Sequence, residues 1–495
     1  MVVHENITYS VNIKCKGGFQ LKSIGNLCEK TKQIYNDIHQ MNKVSELLDY
    51  ISEKSIEKVA AFLLIIWVLS PIIVMFSSIS VQDVEQSLNF SLKQVAISTC
   101  WYEILQTTGF LGCILGIIVF FKNILKGKTG EISMKQYVKN NLFTLFLFFM
   151  LFWSILSCLV SDNIAISFYG TSYRNDGLVT YFTYCGIFCC GYVVRNKRFA
   201  KHILEIFTIS ATVLSILMLM NSETINNLLG LTVDSSVFSN SNHFAYYLCM
   251  AVMCALLLFE TEKKSAPKLI FRIGIFSVIT AALVYNKSLG PYLAVVVGLV
   301  CSVILIIWLD KKDLKRVLVA VIVFIIVTFI MNISDNHLYI DLKIFGIDIF
   351  KIAKLSPAKD LAHVGSDRWP LWMNGLRFIT EKPFFGYGPD NLGAQYAKVN
   401  IIIDRPHNEF IQFAASLGIP ALVSYIMALA VHFISFLKQR KHVSVVYIGI
   451  LCTVITYLAS SMFGNTMYYT SPFFFMILGL SASMQKLVEA KKKEL

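Results

Sequence analysis

The chain has 495 residues, 56% of them hydrophobic and only 15% charged, against about 25% charged in soluble domains. Over so long a chain, that deficit excludes a soluble enzyme, a disordered protein and a disulfide-stapled secreted domain. The formal charge of +13 would suggest nucleic acid in a soluble protein, but here the positions of the charges point to a bilayer and to no nucleic-acid partner.

Residues 1–58 precede the first apolar run. Within 31–58, Ile34, Ile38, Met41, Leu48 and Ile51 recur at roughly helical spacing. This predicts an amphipathic helix in the cytosol or on the inner membrane surface. A spanning helix needs roughly 20 mostly apolar residues. Twelve such segments follow, at 59–80, 104–121, 141–160, 177–194, 203–220, 243–259, 269–286, 291–309, 317–332, 416–436, 443–462 and 471–485. No cleavable leader is visible, since the first run is full length and begins only after residue 58.

Taking the amino terminus as inside, the inner short loops and the basic tail 486–495 hold 24 Lys and Arg. The outer short loops hold three, Lys93, Arg174 and Lys287. Excess Lys and Arg mark the cytoplasmic side, so both termini are expected in the cytosol. The one large hydrophilic stretch, 333–415, follows the ninth span and falls outside. No repeat relates the two halves, as it would in most twelve-span transporters. That asymmetry argues for chemistry on the outer face of the span region 59–485.

In the first outer loop, Asp83 and Glu85 could in principle hold a divalent ion, although a solvated loop is the simpler reading. Most of the twelve cysteines lie in apolar spans. Cys15 and Cys28 have no His nearby, and Cys185, Cys189 and Cys190 share one span with no second cluster. They read as packing residues, neither a metal site nor a disulfide framework.

Arg174 is the only basic residue of the outer loop 161–176. An arginine beside a bilayer needs a partner or water, and Asp162 or Asp176 would serve. Its planar fork also suits phosphate oxygens. In the large outer stretch, Ser366 can cap a helix with Pro370 in its first turn. Trp369, Trp372, Met373, Leu376 and Ile379 then recur at helical spacing, a face suited to the membrane interface. Arg368 stands at its start. The segment PFFGYGPDN (383–391) follows, with Gly386 and Gly388 in a tight turn that brings backbone close to something. A second helix is expected from Asp404 as cap, with Pro406 in its first turn. His407, Ile411, Ala414 and Gly418 then share a face. The helix dipole would keep His407 neutral, able to accept a proton from a hydroxyl. Arg174, Arg368 and Arg405 are the candidate cations for an anionic ligand.

These segments together resemble the O-antigen ligase and O-antigen polymerase family of bacterial membrane proteins. The family pattern is His, then Asn, Ser or Gln, nine residues, Gly, two residues, then Gly, Thr or Tyr. Here His407-Asn408 is followed by nine residues and Gly418; Ala421 departs from the last position. Arg368-x-x-x-Trp372, PFFGYGPDN and the YRNDG run at 173–177 also resemble family segments. The resemblance implies an all-α, GT-C-type glycosyltransferase of the bacterial cytoplasmic membrane, with about twelve spans and the large loop outside. Its donor would be a glycan on undecaprenyl pyrophosphate and its acceptor a hydroxyl on a glycan, lipid or cell-wall carrier. His407 would be the base, and Arg174, Arg368, Arg405 and Asn408 would bind substrate. Gly386, Gly388 and Gly418 would shape the site, with no cofactor, no metal, and inversion at the anomeric carbon. The alternatives are a repeat-unit polymerase of the same family and a flippase for lipid-linked oligosaccharide. The flippase would need basic residues lining a cavity within the spans.

Overall fold

A computed structural model describes residues 29, 32–33, 35–37, 39–41, 43–77, 86–126, 138–139, 141–172, 174–220, 237–238, 240–262, 265–309, 314–333, 336–354 and 358–494. Cys15, Cys28, Ile34, Ile38, Asp83 and Glu85 lie outside these residues, as do the readings that rest on them. The chain divides into Met1–Ser52 and Glu53–Leu495. In the first unit the described residues 29, 32–33, 35–37 and 39 are helical, and α1 (Val44–Tyr50) follows, set off by extended backbone at Lys43 and Ile51. One continuous helix over 31–58 is therefore not formed, and the next helix starts at Glu53 rather than 59.

The second unit is helical, with no strand among its described residues. Its helices are α2 (Glu53–Ser77), α3 (Gln86–Lys126), α4 (Leu142–Leu159), α5 (Ile164–Tyr169), α6 (Leu178–Val193), α7 (Lys197–Met220), α8 (Ser241–Thr261), α9 (Ala266–Tyr285), α10 (Leu289–Leu309) and α11 (Leu314–Asn332). Then come α12 (His337–Ala353), α13 (Ala358–Leu361), α14 (Val364–Glu381), α15 (Leu392–Lys398), α16 (Glu409–Leu417), α17 (Ile419–Lys438), α18 (Val445–Ser461) and α19 (Ser471–Glu494). Each of the twelve apolar segments falls on a helix. Ten of these helices are long and apolar enough to cross a membrane, and α6 and α18 are shorter apolar helices. The protein is a polytopic, all-helical membrane protein.

Helix α8 is apolar on every side and 94% of its core window is buried, as expected of a helix at the centre of a bundle. The α11 surface is the opposite case, with Ile322, Ile325 and Phe329 exposed. Such apolar exposure suits lipid, where backbone groups are satisfied within the helix. Helix α6 packs between α3 and α19. Small residues allow the approach: a Cβ on Gly186 would fall on the Gly109 carbonyl, and one on Gly191 on the Met476 carbonyl. Glycine at such crossings lets backbones meet closely.

Helices α12 to α16 form an insertion between α11 and α17 with a small core of its own: Leu371, Phe378, Tyr387, Leu392, Tyr396 and Ala415. The apolar face expected on α14 is divided. Leu371, Gly375 and Phe378 are buried in that core, while Met373 and Leu376 are exposed. Gly365, Ser366 and Asp367 adopt left-handed backbone, so regular helix begins at Arg368. Pro370 does sit in that first turn.

Candidate active site

Four segments distant in sequence converge: the 170–177 loop, the 383–391 turn, the 404–408 segment and the 462–470 loop between α18 and α19. Arg405 ties them together. It is 2% exposed. Nη1 donates to Asp176 Oδ2 at 3.0 Å and to the Thr466 carbonyl at 2.7 Å, and Nη2 donates to Asp390 Oδ1 at 2.7 Å. Asp390 Oδ2 in turn accepts from the Thr171 N–H at 2.7 Å and its hydroxyl at 2.9 Å. Arg405 is thus a buried strut. Its Nη1 and Nη2 bonds to protein give it a structural role beside the substrate-binding one expected of it.

Arg174 forks onto Asp404, with Nε to Oδ2 at 2.7 Å and Nη2 to Oδ1 at 2.8 Å. The expected partners are taken elsewhere, Asp162 by Lys382 and Asp176 by Arg405. Burial works to raise the Asp404 carboxyl, but Arg174 and Arg405 outweigh it and hold the group below its ordinary value.

Asp404 is not the cap of the next helix. Asn408 caps α16, its Oδ1 accepting from the Phe410 and Ile411 N–H groups at 3.0 and 3.1 Å. Its Nδ2 donates to the Met462 carbonyl at 3.1 Å. Both ends of the amide are used, Oδ1 as the cap and Nδ2 on Met462, so Asn408 helps to build the site. His407 lies just before the helix with φ +51°, a left-handed conformation uncommon for a non-glycine residue and often found at functional positions. Its Nδ1 lies 3.1 Å from Asn465 Nδ2. Burial, then the nearby Arg368 and Arg174 charges, push the imidazole down to about 4. The ring is neutral at pH 7, though for these reasons rather than through a place inside the helix.

Arg368 is differently placed from the other two arginines. Nη1 donates to the Gly365 carbonyl at 3.0 Å, a turn that Asp348 fixes by accepting from the Gly365 N–H at 2.9 Å. Its Nε is buried and has no partner. Arg368 lines a cavity of about 330 Å³ together with Tyr246, Lys287, Asp348, Trp372 and Phe463. Trp372 Nε1 is likewise buried without a partner. His407 is not part of the cavity wall, but the charge of Arg368, which is, reaches its ring.

The glycines shape the backbone rather than a ligand cradle. The Tyr387 and Gly388 N–H groups donate to the Ala415 and Ser416 carbonyls at 3.0 and 2.8 Å, and the Ile419 N–H donates to Pro383 at 2.8 Å. The 383–388 turn therefore docks on the end of α16. Gly386 (φ +63°) and Gly418 (φ +91°) make this possible, since a Cβ on Gly386 would strike the Ser416 carbonyl and one on Gly418 the Phe384 carbonyl.

Residues 274–426 match the family model described as O-Antigen ligase. This segment belongs to the O-antigen ligase family. The family segment contains Arg368, Gly386, Gly388, Arg405, His407, Asn408 and Gly418; Arg174 and Asn465 lie outside it and join the site through the fold. No curated protein is significantly similar to the chain. Among the described residues, no group of three or more His, Cys, Asp or Glu could hold a metal ion.

Sequence reasoning missed Asn465, Asp390 and Asp348. Asp390 sits within the PFFGYGPDN segment, which could have flagged it.

Proposed function

We propose that this protein is a membrane glycosyltransferase that moves a glycan from undecaprenyl pyrophosphate to an acceptor hydroxyl at the outer face of the cytoplasmic membrane. The chain would cross twelve times with both termini inside, placing 333–415 outside. The observation that carries the reading is Arg368, a guanidinium with a spare buried N–H on the wall of a cavity, whose charge reaches a neutral histidine. A phosphate supplies the acceptor oxygens that Arg368 Nε and Trp372 Nε1 lack, and guanidinium groups match phosphate geometry.

The acceptor oxygen attacks the anomeric carbon as its proton passes to His407. The bond from that carbon to the pyrophosphate oxygen breaks, and undecaprenyl pyrophosphate leaves with the electron pair. Arg368, with Arg174 behind it, stabilises the charge that develops on the leaving group. A single displacement inverts the anomeric centre. Pyrophosphate is already an activated leaving group, so the reaction calls for no nucleotide and no metal.

The test is to delete the protein and analyse the carrier-lipid fraction. Glycan should accumulate on undecaprenyl pyrophosphate and clear on complementation with the native chain, but not with Arg368→Ala. A carrier-lipid pool unchanged by deletion would overturn the proposal.

A further inference from the structure

A histidine acts as a base only through the ring nitrogen that carries no proton, and the partner of the other nitrogen decides which one that is. In this structure His407 has one such partner, Asn465, at 3.1 Å from Nδ1. Among the described residues nothing bonds Nε2. Asn465 is itself only 6% exposed, and its Oδ1 is buried with no donor. The two ends of an amide have the same shape but opposite hydrogen-bonding character. With Nδ2 toward the ring, Nδ1 is the acceptor and Nε2 carries the proton, so the basic nitrogen is occupied. With the amide turned over, Oδ1 gains the donor it lacks, Nδ1–H, and the Nε2 lone pair is free.

The loop carrying Asn465 is held against the histidine segment at several points. Asn408 donates to Met462, Arg405 donates to Thr466, and the Thr466 N–H donates to Gln412 at 3.2 Å. Tyr246 bonds the Phe463 carbonyl at 2.6 Å from the other side. An amide fixed this firmly is a suitable orienting group.

We infer that Asn465 is a positioning residue: its Oδ1 accepts from His407 Nδ1–H, fixing the tautomer in which Nε2 takes the acceptor's proton. The inference rests on His407 being the base, as proposed above. A proton leaving the acceptor hydroxyl would then arrive at Nε2, making an imidazolium whose Nδ1–H remains on Asn465. The charged groups around the ring are Arg368, Arg174, Asp404 and Arg405; Asn465 adds no charge to them.

The test uses the full-length protein in liposomes. The probe is the undecaprenyl-pyrophosphate-linked glycan fraction extracted from cells lacking the protein, and the readout is released undecaprenyl pyrophosphate across a pH series. Asn465→Ala should lower kcat by about tenfold or more, since the tautomer is no longer fixed, with KM little changed. Asn465→Asp, of the same shape, should keep more activity. Its carboxylate should move the acid limb of the pH profile upward by about one unit or more, a shift that a merely structural role would not produce. Should the alanine variant fail to accumulate, the aspartate variant decides by its profile alone. An Asn465→Asp profile coincident with the native one, with His407→Ala inactive in the same assay, overturns the inference and leaves the proposed reaction standing. An active His407→Ala would overturn the base assignment itself.

Discussion

Arg174 and Asp404 meet across 230 residues of chain in a forked pair, both bonds under 3 Å. Asp404 lies three residues before His407, so the pair fixes the 170–177 loop against the histidine segment and sets a positive charge close to the ring. An ammonium is a point charge and cannot reproduce two parallel contacts. Arg174→Lys should therefore lower transfer about tenfold or more, with KM for the lipid-linked donor rising. Full activity in Arg174→Lys would show that charge alone suffices.

Arg405 should behave differently. Removing it leaves Asp176 and Asp390 buried without their cation, and breaking a buried pair typically costs about 3–5 kcal/mol. Arg405→Met is expected to reduce the folded protein recovered from membranes and to lower its melting temperature in detergent. Normal stability with weakened donor binding would instead make it a ligand contact.

The pH dependence follows from His407. Burial with Arg368 and Arg174 nearby lowers its pKa to about 4, so the neutral, basic form persists as pH falls and is lost only near that value. A bound pyrophosphate offsets the arginine charges and raises the pKa. The acid limb of kcat/KM, which reports the free enzyme, should therefore lie at lower pH than the limb of kcat, which reports the complex. Coincident limbs near 6.5 would contradict this.

Gly418→Ala forces a Cβ into left-handed backbone and against the Phe384 carbonyl. The backbone conformation, φ +91° and ψ 161°, is one essentially reserved for glycine and alone costs about 1–3 kcal/mol, and undocking of the 383–388 turn adds to it. Thermal unfolding in detergent should register a clear loss, and an unchanged melting temperature would mean the turn is not held there.

Much of this was legible from the sequence because hydropathy acts locally. Each of the twelve apolar segments falls on a helix among the described residues, and the family's His-Asn-x9-Gly spacing pointed to His407. The Asp404-x-Pro406 pattern misled, because it carries the marks of a helix start. His407 instead turns left-handed, and Asn408 caps the helix one turn later. The structural role of Arg405 was not legible because its partners Asp176 and Asp390 are brought to it by folding, and spacing along the chain carries no trace of that. Asn465 lacked any periodic or spacing signal; its meaning comes from a contact with a residue 58 positions away.

The most direct measurement is release of undecaprenyl pyrophosphate by the purified protein in liposomes, supplied with its lipid-linked glycan and acceptor, for the native chain and for His407→Ala at equal donor binding. The account predicts product with inverted anomeric configuration from the native protein and essentially none from the variant. Comparable release from both, or movement of the intact lipid-linked glycan across the bilayer without release, would contradict it.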